Sequence, residues 1–204
     1  PLRSNEFKNA LKRANASKLK IAKADIVYAQ VTLLKLHGIA IDKLAVRICH
    51  NDTKLNNILF SKESDKALCL IDLDTIMKGY FFYDFGDAIR TVVNIAPEDE
   101  QDHHKITFDL DLFQSFVEGL ASNPSFLTKE ELKSLPLGTV FMPFIHGLRA
   151  LTDYLNDNIY YKVSYENQNL DRCKSLFNFS GKALKNLTQM EAVLANCFSE
   201  LQEL

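Results

Sequence analysis

The stretch His50-Asn51-Asp52-Thr53-Lys54-Leu55-Asn56-Asn57 decides the fold, because it sets a carboxylate, an ammonium and an amide at fixed spacing just after the apolar run Val46-Arg47-Ile48-Cys49. Two further runs beside it, Asn57 to Phe60 and Ala67 to Ile71, read as strands joined by the turn-rich Ser61-Lys62-Glu63-Ser64-Asp65-Lys66. If they pair antiparallel round that loop, opposed positions sum to 127 or 128, so Asn57 faces Leu70 or Ile71. The next residue is Asp72. A local hairpin therefore returns a second carboxylate to the neighbourhood of Asp52 and Asn57.

Phosphoryl transfer to a hydroxyl needs a carboxylate that orients the attacking group and takes its proton, and oxygen ligands that hold magnesium. On that chemistry Asp52 is the base, and Asn57 and Asp72 are the metal ligands. Lys54, two residues after the base, neutralises charge on the moving phosphoryl group. Protein kinases carry the same D-x-K-x-x-N spacing in their catalytic loop. Their second metal-binding aspartate follows after roughly one short hairpin, about 20 residues, and Asp72 follows Asp52 by 20. The letters D-F-G do occur, in Tyr83-Asp84-Phe85-Gly86-Asp87, but Asp84 lies 32 residues after Asp52 at the start of an expected helix. Asp84 and Asp87 are therefore read as structural, capping that helix or steadying the catalytic loop, with Arg90 an ion-pair partner for Asp87. His50 reads as a scaffold residue hydrogen-bonded within the loop. Asp74 falls on the same side of the return strand as Asp72, and either ligates the metal or supports it through a neighbour.

Composition excludes several other classes. The 204 residues are 47% hydrophobic and 25% charged with net charge −2, so there is no basic stripe for nucleic acid. No apolar run approaches the roughly 20 residues that span a bilayer. Four cysteines without C-x-x-C spacing suggest a reducing, cytoplasmic setting, with Cys69 buried in its apolar run. The scattered cysteines and His103-His104 offer no zinc spacing, and no C/S-x-P-x-R motif serves a sulfatase. The acidic run Glu98 to Asp102 reads as a solvated loop.

Away from the strands the periodicity is helical, giving an α+β chain that is mostly α. Helices are expected over 5–16, 18–37 with a stop at Gly38, 84–95 and 108–121. Later ones are a short helix from the Thr128 cap with Glu131 three residues on, then 137–157 and 167–202.

The run RICHNDTKLNNILF, continuing to ALCLIDLDTIMKGYFFYDFGDAIR, resembles the aminoglycoside phosphotransferase and choline kinase superfamily, whose members carry H-x-D-x-x-x-x-N followed by I-D-x-[DE]. Within it the chain is most similar to N-acetylhexosamine 1-kinases, through HNDTKLNN, IDLDT, YDFGDAIR and LRALTDYL. The resemblance implies the C-terminal lobe of a protein-kinase-like fold, with a small β-hairpin insert carrying the catalytic loop. It also implies ATP and Mg2+ as cofactors, and phosphate transfer to the anomeric hydroxyl of N-acetylglucosamine or N-acetylgalactosamine. Residue by residue, Asp52 matches the base that meets the sugar hydroxyl, Asn57 and Asp72 match the magnesium ligands, and Arg149 and Tyr160 match sugar-binding residues.

In the segment from Phe144 to Lys162, Ile145, Leu148, Leu151 and Leu155 mark one buried helical face, with Arg149, Asp153, Asn156 and Tyr160 off it. Arg149 and Tyr160 lie 11 residues apart, about three turns, so both project toward a sugar if the helix or its extension reaches that far. A helix break near Asn156-Asp157 would put Tyr160 in question. The chemistry further requires a glycine-rich hairpin over the phosphates and a strand lysine paired to a helical glutamate. The residues before His50 read as helical, with Gly38 their sole glycine. The expectation is that 1–204 form the catalytic and substrate lobe, that the ATP-clamping N-terminal lobe is absent from this chain, and that the fragment is inactive alone. Two other readings stay open, a choline or aminoglycoside-type kinase and a non-catalytic kinase-like binding module.

Overall fold

Apolar positions at helical spacing build the first three helices, α1 (Leu2–Arg13), α2 (Ala16–Ile21) and α3 (Lys23–Leu36). A computed structural model describes residues 2–36, 41, 43–123 and 126–199. The helix expected over 18–37 is divided at Ala22, which leaves helical geometry (φ −88°, ψ 12°) while its N–H still bonds the Lys18 carbonyl. Asn15 caps α2 by accepting the Lys18 N–H at 2.9 Å. The stop expected at Gly38 lies outside the described residues.

Four short strands follow: β1 (Arg47–Cys49), β2 (Ile58–Phe60), β3 (Ala67–Leu70) and β4 (Met77–Gly79). β2 and β3 pair antiparallel, with Ile58 opposite Leu70 and Leu59 opposite Cys69, before a one-residue slip sets Phe60 against Ala67. The Ile71 N–H bonds the Asn57 carbonyl at 2.9 Å, so Asn57 faces Ile71, as the spacing predicts. β1 pairs antiparallel with β4, a strand that sequence reading missed. Cys69 is exposed, against expectation, as is the whole of β3. A two-stranded ribbon shields neither of its own faces.

The remaining helices are α4 (Phe81–Val92), α5 (Leu110–Ala121), α6 (Lys129–Leu155), α7 (Gln168–Lys185) and α8 (Leu187–Cys197). The short helix and the long one expected on either side of residue 136 are a single helix, α6. Its start is a capping box: the Glu131 N–H donates to Thr128 Oγ1 at 3.2 Å and the Thr128 N–H to Glu131 Oε2 at 2.8 Å. The helix expected over 167–202 is divided at Asn186, and its last residues lie outside the described set. Helices with two small antiparallel sheets make the fold α+β, mostly α. No described helix is long and apolar enough to cross a membrane.

Two compact units emerge. One comprises Pro1–Ile41, Ala96–Ile106 and Pro143–Phe179. Its core joins Phe7 and Ala10 of α1, Ala29 of α3, Phe144, Leu148, Leu151 and Tyr154 of α6, and Cys173 and Phe177 of α7. Each large apolar side chain buried there contributes roughly 1.5–3 kcal/mol. Phe144 and Phe177 stack with centroids 5.3 Å apart. The acidic run Glu98 to Asp102 is the loop expected, with Glu98, Gln101 and Asp102 exposed, and side-chain bonds tie it down: Asp99 accepts from Gln168 Nε2 at 2.7 Å, and Gln101 Nε2 reaches Tyr165 and Asp171.

The other unit comprises Asp42–Ile95, Thr107–Met142 and Ser180–Leu204. Phe85 of α4 meets Phe113 of α5 edge to face at 6.1 Å, and Ile89, Val117 and Met190 are fully buried beside the other core residues. α4 and α6 touch backbone to backbone. A Cβ on Gly86 would lie 2.1 Å from the Gly138 carbonyl oxygen, and one on Gly138 would lie 2.2 Å from that of Phe82, so only glycine permits the approach.

Candidate active site

The loop after β1 is built by its own side chains. Lys54 Nζ donates to Asp52 Oδ2 at 2.7 Å, and Asn57 Nδ2 donates to the Asp52 carbonyl at 2.8 Å and to Oδ2 at 2.9 Å. Asn57 is buried at the end of the 3-10 turn Leu55–Asn57 that leads into β2. Both donors converge on Oδ2 of Asp52, which fixes the carboxylate and leaves Oδ1 outside these bonds. Burial works to lower the Lys54 pKa, but the hydrogen bond from Lys54 to Asp52 and the charges of Asp52 and Asp72 outweigh it, so the ammonium is held above its ordinary value.

His50 ties this loop to the return strand through Nε2, 2.9 Å from the Ile71 carbonyl. A carbonyl only accepts, so Nε2 carries the proton, and Nδ1 is left buried without a partner. The bond pins the residue just before Asp72, which fits the scaffold role expected of His50. Asp72 itself is left-handed (φ 64°, ψ 52°) and opens the 3-10 turn Leu73–Thr75. That corrects the placement of Asp74. Residues 72–75 are not strand, because β3 ends at Leu70, so alternation does not set Asp74 beside Asp72.

Asp84 is not the cap of α4, whose N-cap is Tyr80. Its buried carboxylate reaches across to the loop after β1, Oδ2 accepting the His50 N–H and Oδ1 the Asn51 N–H, both at 2.7 Å. Burial raises its pKa even though both N–H groups act to lower it. Of the two structural roles open in sequence, steadying the loop is the one observed. Thr53 Oγ1 donates to the Asp84 carbonyl at 2.5 Å, and the Leu55 N–H to Thr91 Oγ1 at 2.9 Å, fastening the rest of the loop to α4. Asn51, left-handed at φ 62°, sends Nδ2 to the Cys49 and Thr75 carbonyls. Sequence reading missed Asn51, Thr53 and Thr91, and only the position of Asn51 beside His50 signals any of them. The expected Asp87–Arg90 pair forms at 2.7 Å and is buried. Burial and the nearby Asp84 charge push the Cys49 thiol up to about 11, so it is an inert core thiol.

These residues suit magnesium better than an all-protein metal cage. Both N–H groups of the Asn57 amide are used on Asp52, so its carbonyl oxygen is the atom left to face a cation, and Asp72 stands exposed just beyond the end of β3. Magnesium characteristically takes one or two protein ligands and completes its shell with water and phosphate oxygens. No cluster of three or more His, Cys, Asp or Glu suited to a metal occurs among the described residues.

Arg149 and Tyr160 belong to the other unit and meet there by an unexpected route. The helix stops at Leu155, and the chain reverses through left-handed Asp157 and Asn158. Arg149 Nη2 then lies 3.4 Å from the Tyr160 hydroxyl, with the guanidinium 5.8 Å from that ring and 6.0 Å from the Tyr161 ring. Arg172 covers Tyr161 at 5.0 Å. Asp153, expected off the buried face, is buried.

A model of a family described as phosphotransferase enzyme family, APH, matches residues 3–115, more than half the chain. The match takes in the loop from His50 to Asn57, the hairpin and Asp72, and stops short of Arg149 and Tyr160. The chain belongs to this family, and is thereby a phosphotransferase of the small-molecule kinase type.

Proposed function

We propose that the chain is the C-terminal lobe of a kinase-like fold that moves the terminal phosphoryl group of ATP to the anomeric hydroxyl of an N-acetylhexosamine. The observation that carries the reading is the Asp52 carboxylate, locked by Lys54 and Asn57 and paired with a return strand that His50 pins beside Asp72. In this reading Asp52 orients the sugar hydroxyl and takes its proton as the new O–P bond forms. Asn57 and Asp72 offer oxygens to Mg2+, which when bound neutralises charge on the phosphates. Lys54 adds a positive charge beside the transferring group. Asp74 supports the same region, and an ATP-clamping lobe supplied by a longer chain in a cytoplasmic setting belongs to the same proposal.

The choice of acceptor draws on the sequence resemblance and on the aromatic pair. Cationic acceptors such as choline are recognised by open aromatic faces. Here guanidinium groups already lie against Tyr160 and Tyr161, and like charge opposes a quaternary ammonium. A neutral polyol with an acetamido oxygen instead finds N–H donors and a ring to rest on. A coupled ADP-release screen of the full-length protein with N-acetylglucosamine, N-acetylgalactosamine, choline and an aminoglycoside tests this. Turnover should be highest with an N-acetylhexosamine, and preference for choline or the aminoglycoside would overturn the choice.

A further inference from the structure

The loop that carries Tyr160 is held by one carboxylate. Asp153, 4% exposed and one helical turn after Arg149, accepts the Tyr160 N–H at Oδ1 (2.8 Å) and the Tyr161 N–H at Oδ2 (3.0 Å). Oδ2 also accepts from Asn169 Nδ2 at 2.8 Å. Asn169 in turn donates to Asn158 Oδ1 at 3.0 Å and receives Arg172 Nη1 at 2.7 Å. A buried carboxylate is costly unless its oxygens are satisfied, and three N–H groups from the loop and α7 satisfy this one. The backbone leading into the loop is itself strained at two adjacent non-glycine positions, Asp157 (φ 65°) and Asn158 (φ 56°), so something must hold it. Buried Lys18 contributes, with Nζ 2.7 Å from the Tyr154 carbonyl and 2.9 Å from Asp157 Oδ1.

We infer that Asp153 is a positioning residue for the acceptor: by accepting the two consecutive N–H groups it fixes Tyr160 and Tyr161 against Arg149, and so sets acceptor affinity rather than the chemical step. The inference rests on the proposal that Arg149 and Tyr160 hold the sugar. Asp153 touches no substrate and works through the loop.

The test uses Asp153→Asn in the full-length enzyme, because asparagine keeps the size but turns an NH2 group toward one of the loop N–H groups. Hydrogen exchange at the Tyr160 and Tyr161 amides should rise at least about tenfold while α1 and α3 keep their protection. KM for the N-acetylhexosamine should rise about tenfold, with kcat and the KM for ATP within about twofold of wild type. In a Tyr160→Ala background the substitution should raise KM no further, since its route is already cut. Should Asp153→Asn fail to fold, Asn169→Ala, which removes one of the three donors, is expected to give the same split with a smaller rise in KM.

Unchanged exchange at both amides overturns the inference, as does a fall in kcat at constant KM. So does a KM effect that persists in full without Tyr160. If Arg149→Ala and Tyr160→Ala leave the sugar KM unchanged, the sugar reading fails and the acceptor role with it. If those two variants raise KM while Asp153→Asn does not, the inference alone fails.

Discussion

Replacing Asp84 with alanine removes the carboxylate that holds the loop after β1. Asp84 is 9% exposed, and its two oxygens take the His50 and Asn51 N–H groups at 2.7 Å each. Hydrogen bonds to an ionised acceptor contribute about 1.5–3 kcal/mol apiece, so the pair is worth about 3–6 kcal/mol. Burial of the charge, strong enough to raise the carboxyl pKa against both N–H groups, outweighs that gain in the ionised form, so what the substitution costs is the two N–H groups left without an acceptor, about 1–3 kcal/mol each and about 3 kcal/mol together. For a chain of this length each kcal/mol moves Tm by roughly 2–4 °C, so Asp84→Ala should melt about 6–12 °C lower at neutral pH by circular dichroism. The pH dependence has a definite sign. A carboxylate with a raised folded pKa favours the folded state while protonated, and that advantage fades as pH rises from the ordinary aspartate value through the folded one. The gap between wild type and Asp84→Ala should therefore narrow as pH rises through that window. A Tm within about 2 °C of wild type, or a gap that widens over the same window, would refute the reasoning.

Three other perturbations test separate parts of the account. Asp72→Ala, at an exposed but left-handed position where alanine costs about 1 kcal/mol, should lower Tm by no more than about 4 °C but cut magnesium-dependent turnover at least ~100-fold, whereas a larger loss of stability with retained turnover would exchange the roles of Asp72 and Asp84. Glu131→Gln breaks the pair with Arg47 (2.7 Å), whose guanidinium is partly exposed, and should cost about 1–2 kcal/mol at pH 7 in urea titrations. The Arg47 hydrogen bond holds the Glu131 pKa below its ordinary value, so this stabilisation is present above that value and is lost as pH falls through the folded one; urea midpoints at pH 7 and pH 3 check it. Gly86→Ala drives a methyl group into the Gly138 carbonyl and should cost about 3 kcal/mol or more, and an unchanged urea midpoint would mean that α4 and α6 are not in backbone contact.

The hairpin was legible because its register depends on local turn chemistry and a two-residue repeat, both written in residues 57–71. β4 was not, since three residues carry no alternation and its partner β1 lies about 30 residues away. The break expected before residue 137 does not occur, and α6 runs straight through Pro136: proline costs one i to i−4 bond, and the packing of a 27-residue helix outweighs that loss. At the site, Asp52, Lys54 and Asn57 stood out by spacing, and His50 by its place before them. Asp84 was harder, because its partners are backbone N–H groups 33 and 34 residues away, which no side-chain pattern reveals. Asp153 was hidden for the same reason. Arg149 and Tyr160 were paired by counting helical turns, yet the chain joins them by reversing at Asp157 and Asn158, where the run Asn156-Asp157-Asn158 signals a break but not that the chain returns to Arg149.

The central claim is that Asp52 takes the proton of an N-acetylhexosamine anomeric hydroxyl as phosphate moves from ATP, and product identification tests it most directly. With the full-length enzyme, Mg2+, ATP and N-acetylglucosamine or N-acetylgalactosamine, phosphorus NMR should show a phosphomonoester coupled to the anomeric proton, and Asp52→Asn should form none at matched stability. Phosphate on another hydroxyl, or the 1-phosphate formed at the wild-type rate by Asp52→Asn, would contradict the account.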